Sequence, residues 1–172
     1  MAHACSAAVD RAVERAAHFA LCVALCAGLG CTSEPTTPAP EAIFPAEAPT
    51  TWRQVRSCRH SHEHELNYIR VVADDLAHDR YLQWDAPFPV GATLLKLEYS
   101  DAACQQLVRY TAMRKLAKGA DPARGDWRWQ ATSPERVVDE DAPIKVCVAC
   151  HQAHCRDDNG TGFDLTCAEE EF

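Results

Sequence analysis

The sequence predicts an α+β fold: a mainly antiparallel β-sheet with short helices, ending in a C-terminal helical segment. Three observations carry this. Short β-branched or alternating runs recur at Tyr68–Val72, Ala92–Tyr99 and Trp127–Trp129. They are interleaved with brief helical stretches rather than with a regular strand–helix–strand rhythm, which argues against parallel crossovers. Finally, no internal repeat divides the chain, and 172 residues with 47% apolar content suffice for one core plus a leader.

Taken in order, the chain opens on a segment to be set apart from the fold. After Arg11 and Arg15, Ala16 to Gly30 is apolar, too short to cross a bilayer but of the length of a signal core. Its ending, Gly28-Leu29-Gly30-Cys31, is similar to a bacterial lipoprotein signal, with Cys31 as the acylated residue; Asp10, Glu14 and Gly28 depart from the usual pattern. Residues 1–30 are therefore expected to be a signal peptide. The next stretch, 31–51, carries Pro35, Pro38, Pro40, Pro45 and Pro49 without periodicity and reads as an extended tether. The folded domain is expected over 52–172.

Within it, Trp52–Cys58 is open between a strand and a helical turn. His60, His62 and His64 alternate with Ser61 and Glu63, so an extended chain would align three imidazoles as either a metal patch or a solvated face. Tyr68–Val72 is a strand. Asp74-Asp75 is placed to cap a helix over Leu76–Trp84, with Leu76, Tyr81 and Trp84 near one face, stopped by Pro87 and Pro89. In the strand Ala92–Tyr99, Leu95, Leu97 and Tyr99 face one way and Leu94, Lys96 and Glu98 the other. Cys104–Lys118 fits both helix and strand spacing, and a strand after a short turn is the expectation. Gly119–Gly125 is a loop, Trp127-Arg128-Trp129 a strand, and Ile144–Cys155 a short helix introduced by Pro143.

That last helix carries Cys147-Val148-Ala149-Cys150-His151. Cys-x-x-Cys-His lets two thiols bond covalently to the vinyl groups of a haem while the adjacent imidazole reaches the iron, so the motif predicts haem c attached through Cys147 and Cys150 with His151 as metal ligand. Two other uses remain open. A redox dithiol needs no histidine, and a zinc site would draw on Cys147, Cys150, His154 and Cys155. No methionine follows the motif, and Met113, the one candidate outside the leader, lies on an apolar stretch where core filling is its ordinary use. A five-coordinate iron with an open distal face is expected.

Composition narrows the partners. A net charge of −8 without a basic run argues against nucleic acid. Ten cysteines, with a haem motif that needs export in bacteria, point to an oxidising location: periplasmic, or held at the cell envelope by a lipid on Cys31.

Phe88-Pro89-Val90-Gly91, Lys96 on the following strand, Asp126-Trp127-Arg128-Trp129 and the C-terminal Cys147–His151 together resemble the cytochrome P-460 family and its relative cytochrome c-prime-beta, over roughly Trp52 to Cys167. The resemblance implies a mainly antiparallel sheet carrying a pentacoordinate haem, often in a homodimer. It places Lys96 where hydroxylamine-oxidising members bond a lysine to a haem meso carbon, a tether that alters the macrocycle's electronics. It matches Arg70 to a distal arginine that contacts a bound nitrogen-oxide ligand; an ion pair with Asp74 or Glu98 is the alternative. It also exposes a departure. The stretch expected to carry a proton-transferring carboxylate reads Val108-Arg109-Tyr110-Thr111-Ala112-Met113, with no acid, which argues against turnover unless Glu98 substitutes, as it would only if its side of the strand faces the iron. Cys58, Cys104, Cys155 and Cys167 can pair in three ways, of which Cys58 with Cys104 and Cys155 with Cys167 are favoured. The implied function is oxidation of hydroxylamine or nitric oxide with an external electron acceptor. The alternatives are non-enzymatic binding of nitric oxide or carbon monoxide, and electron transfer with Met113 as sixth ligand.

Overall fold

In the computed structural model the described residues are 38–61, 64, 67–140, 142–155 and 162–167. The expected leader, Cys31 with its expected lipid, and His62 lie outside them. Five strands form one antiparallel sheet in sequential order: β1 (Arg53–His60), β2 (Tyr68–Ala73), β3 (Thr93–Tyr99), β4 (Leu107–Lys115) and β5 (Trp127–Thr132). A two-stranded hairpin, β6 (Gly162–Phe163) with β7 (Thr166–Cys167), stands apart. The helices are α1 (Ala48–Thr51), α2 (His78–Gln83) and α3 (Ile144–His154). The fold is thus α+β with a mostly antiparallel sheet. No helix among the described residues is long and apolar enough to cross a membrane.

Each ambiguous segment resolves for a physical reason. Leu107–Lys115 is a strand because it is inserted between β3 and β5, where both backbone edges find partners. Trp52–Cys58 becomes part of an edge strand: Arg53–His60 pairs on one side with β2, with two register shifts. The helix expected over Leu76–Trp84 shortens to His78–Gln83, and Leu76 is exposed at its approach. Asp74 does not cap it directly. Its carboxylate instead accepts from Ala77 N (2.8 Å) and Thr93 N (2.9 Å), fixing the turn between β2 and α2 and tying it to β3.

The period-2 expectation for β3 holds. Leu95, Leu97 and Tyr99 enter one core with Ile43, Phe44, Val72 and Tyr110, while Leu94 enters the other with Tyr81, Phe88, Met113 and Trp127. The tether expected over 31–51 is shorter than its prolines suggest. The compact unit begins at Ala39, and Ile43 and Phe44 are buried. Ile43 N donates to Gln130 Oε1 (2.8 Å), Gln130 Nε2 to the Glu41 carbonyl (2.9 Å), and Arg136 to the Phe44 carbonyl (2.6 Å). Proline marks a chain without internal hydrogen bonds, but it does not prevent that chain from laying two large apolar side chains into a core.

Both favoured disulfides are present, Cys58–Cys104 and Cys155–Cys167. Cys147 and Cys150 are free.

Candidate functional site

Cys147, Cys150 and His151 stand at i, i+3 and i+4, so one face of α3 presents all three. That face closes a cavity of about 300 Å³ whose floor is the sheet face bearing Ile69, Val71, Leu94, Lys96, Glu98, Thr111 and Met113. The three motif side chains are each half-buried. The cavity lies at the lower end of the range for cofactor and small-molecule sites, about 300–1,000 Å³.

His151 is anchored on one side. Its Nδ1 lies 2.8 Å from the Leu165 carbonyl, an acceptor, so Nδ1 carries the proton and Nε2 keeps the lone pair that a metal needs. Trp129 packs edge-on against the imidazole, ring centroids 4.9 Å apart. Burial holds His151 below the ordinary imidazole value, the Leu165 hydrogen bond acting against it and the Lys96 charge adding to it. The ring is therefore neutral at pH 7.

Opposite stands an ionic cluster. Glu98 is 1% exposed; its Oε1 is 3.1 Å from Lys96 Nζ and 3.3 Å from Thr111 Oγ1, its Oε2 2.9 Å from Arg109 Nε. Burial pushes Glu98 up, but the Lys96 and Arg109 charges and their hydrogen bonds outweigh it and hold the carboxyl below the usual range. Burial pushes Lys96 down, against the pull of Glu98. Arg109 stays charged under all ordinary conditions and satisfies Glu98 by itself. Glu98 is accordingly the fixed anion, and Lys96 the member able to give up its proton.

Arg70 falls elsewhere. It pairs with Leu97 in the β2–β3 ladder and so points to the opposite sheet face, its guanidinium carbon 5.8 Å from the Tyr99 ring centroid and its Nε buried without a hydrogen-bond partner. It does not line the cavity, nor does it pair with Glu98, so the ligand contact assigned to it from the resemblance is not available from this position. The arginines that do line the cavity are Arg56, Arg59 and Arg109. Arg109 was legible: it shares strand parity with Thr111 and Met113. Arg56 and Arg59 were not, because residues three apart on a regular strand face opposite ways, and only the register shift between them turns both inward.

Of the three histidines expected to align, His60 packs on Tyr68, ring centroids 5.1 Å apart, and His64 turns back to Ser61 Oγ at 2.6 Å, while His62 lies outside the described residues. The zinc set Cys147, Cys150, His154 and Cys155 does not come together among the described residues. The donors within 4.8 Å of one another are His151, Cys155 and Cys167, and the two sulfurs are joined as a disulfide.

A haem c can be tested against what is present. Two free cysteines, Cys147 and Cys150, and His151 all line one cavity, the donor set that covalent attachment and axial ligation call for. The residues fit the group. Comparison with protein-family models and with curated proteins gave no match, so the chemistry of this site rests on its own residues.

Proposed function

We propose that the chain is an exported c-type haem protein of the cytochrome P-460 kind that oxidises hydroxylamine or nitric oxide at a five-coordinate iron and passes electrons to an external acceptor. The observation that carries this is the placement of Cys147, Cys150 and His151 on one wall of a cavity whose floor holds Lys96 and the buried Glu98. Haem, when bound, supplies the redox iron. His151 would be its proximal ligand, oriented by Leu165. Electrons leaving hydroxylamine are accompanied by protons, and a positioned base accelerates such transfers by about 10²- to 10⁴-fold. Glu98 supplies the carboxylate missing from the Val108–Met113 stretch, and it reaches the cavity through the Lys96 amine. That amine, biased by burial toward its neutral form, is the group that would be joined to a haem meso carbon; such a bond replaces the carbon's hydrogen and one amine hydrogen and needs a two-electron oxidant of the peroxide class.

Expression with a cytochrome c maturation system should give a coloured protein whose mass, after denaturation, retains one haem. The denatured spectrum should show the additional Lys96 linkage, and hydroxylamine should be consumed with an artificial acceptor. A colourless product from competent maturation defeats the proposal.

The alternative of a nitric oxide or carbon monoxide binder is favoured by the apolar part of the same floor, Ile69, Val71, Leu94 and Met113. Lys96→Ala separates the two: the crosslinked enzyme loses a red-shifted Soret band, whereas a simple binder keeps its spectrum.

A further inference from the structure

The β6–β7 hairpin turns through Asp164 (φ 48°) and Leu165 (φ 64°), two successive residues in the left-handed region with no glycine between them. Leucine is unfavourable there, and strain of this kind persists only where surrounding contacts impose it. Here they are identifiable. Asp164 Oδ1 takes Lys115 Nζ at 2.6 Å, Oδ2 takes Phe88 N at 3.2 Å, and the Asp164 carbonyl takes Trp127 Nε1 at 2.9 Å. Lys115 Nζ also donates to the Gly125 carbonyl at 3.0 Å and lies 4.7 Å from the Trp127 ring centroid. The Leu165 side chain packs over Gly125, where a Cβ would collide with it. At the far end Tyr81 donates to the Cys167 carbonyl at 3.0 Å. What this network delivers is one backbone oxygen, Leu165 O, aimed at His151 Nδ1.

We infer that the Lys115–Asp164 ion pair is a positioning device: it holds a strained turn so that the Leu165 carbonyl fixes His151 as its Nδ1–H tautomer and sets the donor strength of Nε2. Neither residue lines the cavity. They act through the turn. The inference deepens the proposed haem reading, in which His151 is the proximal ligand, but its first consequence precedes any haem. A free histidine has no need to place its proton on Nδ1; this one is compelled to by the Leu165 carbonyl aimed at it. With the carbonyl in place, a metal bound at Nε2 meets a more basic imidazole, because the ligand's second nitrogen is already donating.

The test is long-range proton–nitrogen correlation NMR on the full chain, labelled at histidine and free of haem. His151 is assigned by its loss in His151→Gln. The wild type should show a single Nδ1–H pattern for His151, and Lys115→Arg should retain it. Lys115→Met and Asp164→Ala, with circular dichroism unchanged, should lose the single pattern and show an added Nε2–H form. After haem attachment the same two variants should have a lower iron–histidine stretching frequency by resonance Raman. A wild-type His151 protonated on Nε2 overturns the inference without recourse to any variant; so do folded Lys115→Met and Asp164→Ala proteins that keep the wild-type pattern. A chain that never takes up haem, yet shows the Nδ1–H pattern lost in those variants, would sink the haem reading and leave this one standing.

Discussion

Glu98 is the residue on which the cavity's electrostatics turn, and its sequence neighbours do not reveal this. Strand alternation places it beside Lys96 on one face, but Arg109 and Thr111 reach it from β4. Its folded value lies below that of the unfolded chain, about 4.3. The stability it contributes is therefore complete above that value and is lost as pH falls through the folded value. Urea denaturation followed from pH 7 into acid should show this loss. Glu98→Gln should cost about 3–5 kcal/mol at pH 7, since Lys96 and Arg109 are left without their counter-charge. As acid protonates the wild-type carboxyl, the two stability curves should converge. Curves that stay parallel would mean that Glu98 is not the anion of this cluster.

At the level of elements, the two disulfides divide the labour. Cys58–Cys104 ties edge strand β1 to the turn between β3 and β4 across 46 residues, whereas Cys155–Cys167 joins the end of α3 to the hairpin across 12. On the chain-entropy account each stabilises by about 2–4 kcal/mol, the longer closure by about 1 kcal/mol more. Denaturant titration of the double serine variants should thus rank Cys58/Cys104 as the costlier loss. The Cys155/Cys167 variant should instead loosen the hairpin that carries Leu165, broadening the His151 tautomer signal while the sheet keeps its hydrogen-exchange protection.

For the molecule as a whole, the segment ahead of α1 behaves as part of the domain. Phe44 is 2% exposed, packed edge-on against Tyr110 at 5.4 Å between centroids, with Arg136 over its other side at 5.3 Å. Phe44→Ala should cost about 3–5 kcal/mol, the ordinary range for emptying a buried aromatic site. Truncation should show the same boundary. A chain starting at Ala39 should keep the thermal midpoint of one retaining the tether, whereas one starting at Trp52 should lose cooperative unfolding. Equal midpoints for the two truncations would return 39–51 to the status of a linker.

The sequence alone determined what depends on local spacing. Period-2 alternation split β3 into a core face and a face bearing Lys96 and Glu98, and the Cys-x-x-Cys-His spacing put three side chains on one helical face whatever the fold around it. Only tertiary structure decided what depends on which strands are neighbours and where a ladder slips. Pairing with Leu97 sent Arg70 away from the cavity, a register shift brought Arg56 and Arg59 together, and a distant hairpin supplied the Leu165 carbonyl. A backbone oxygen has no residue type to betray it, and a bulge reverses side-chain parity without leaving a mark in composition. Those are the reasons the motif was visible from the residues while the shell that orients it was not.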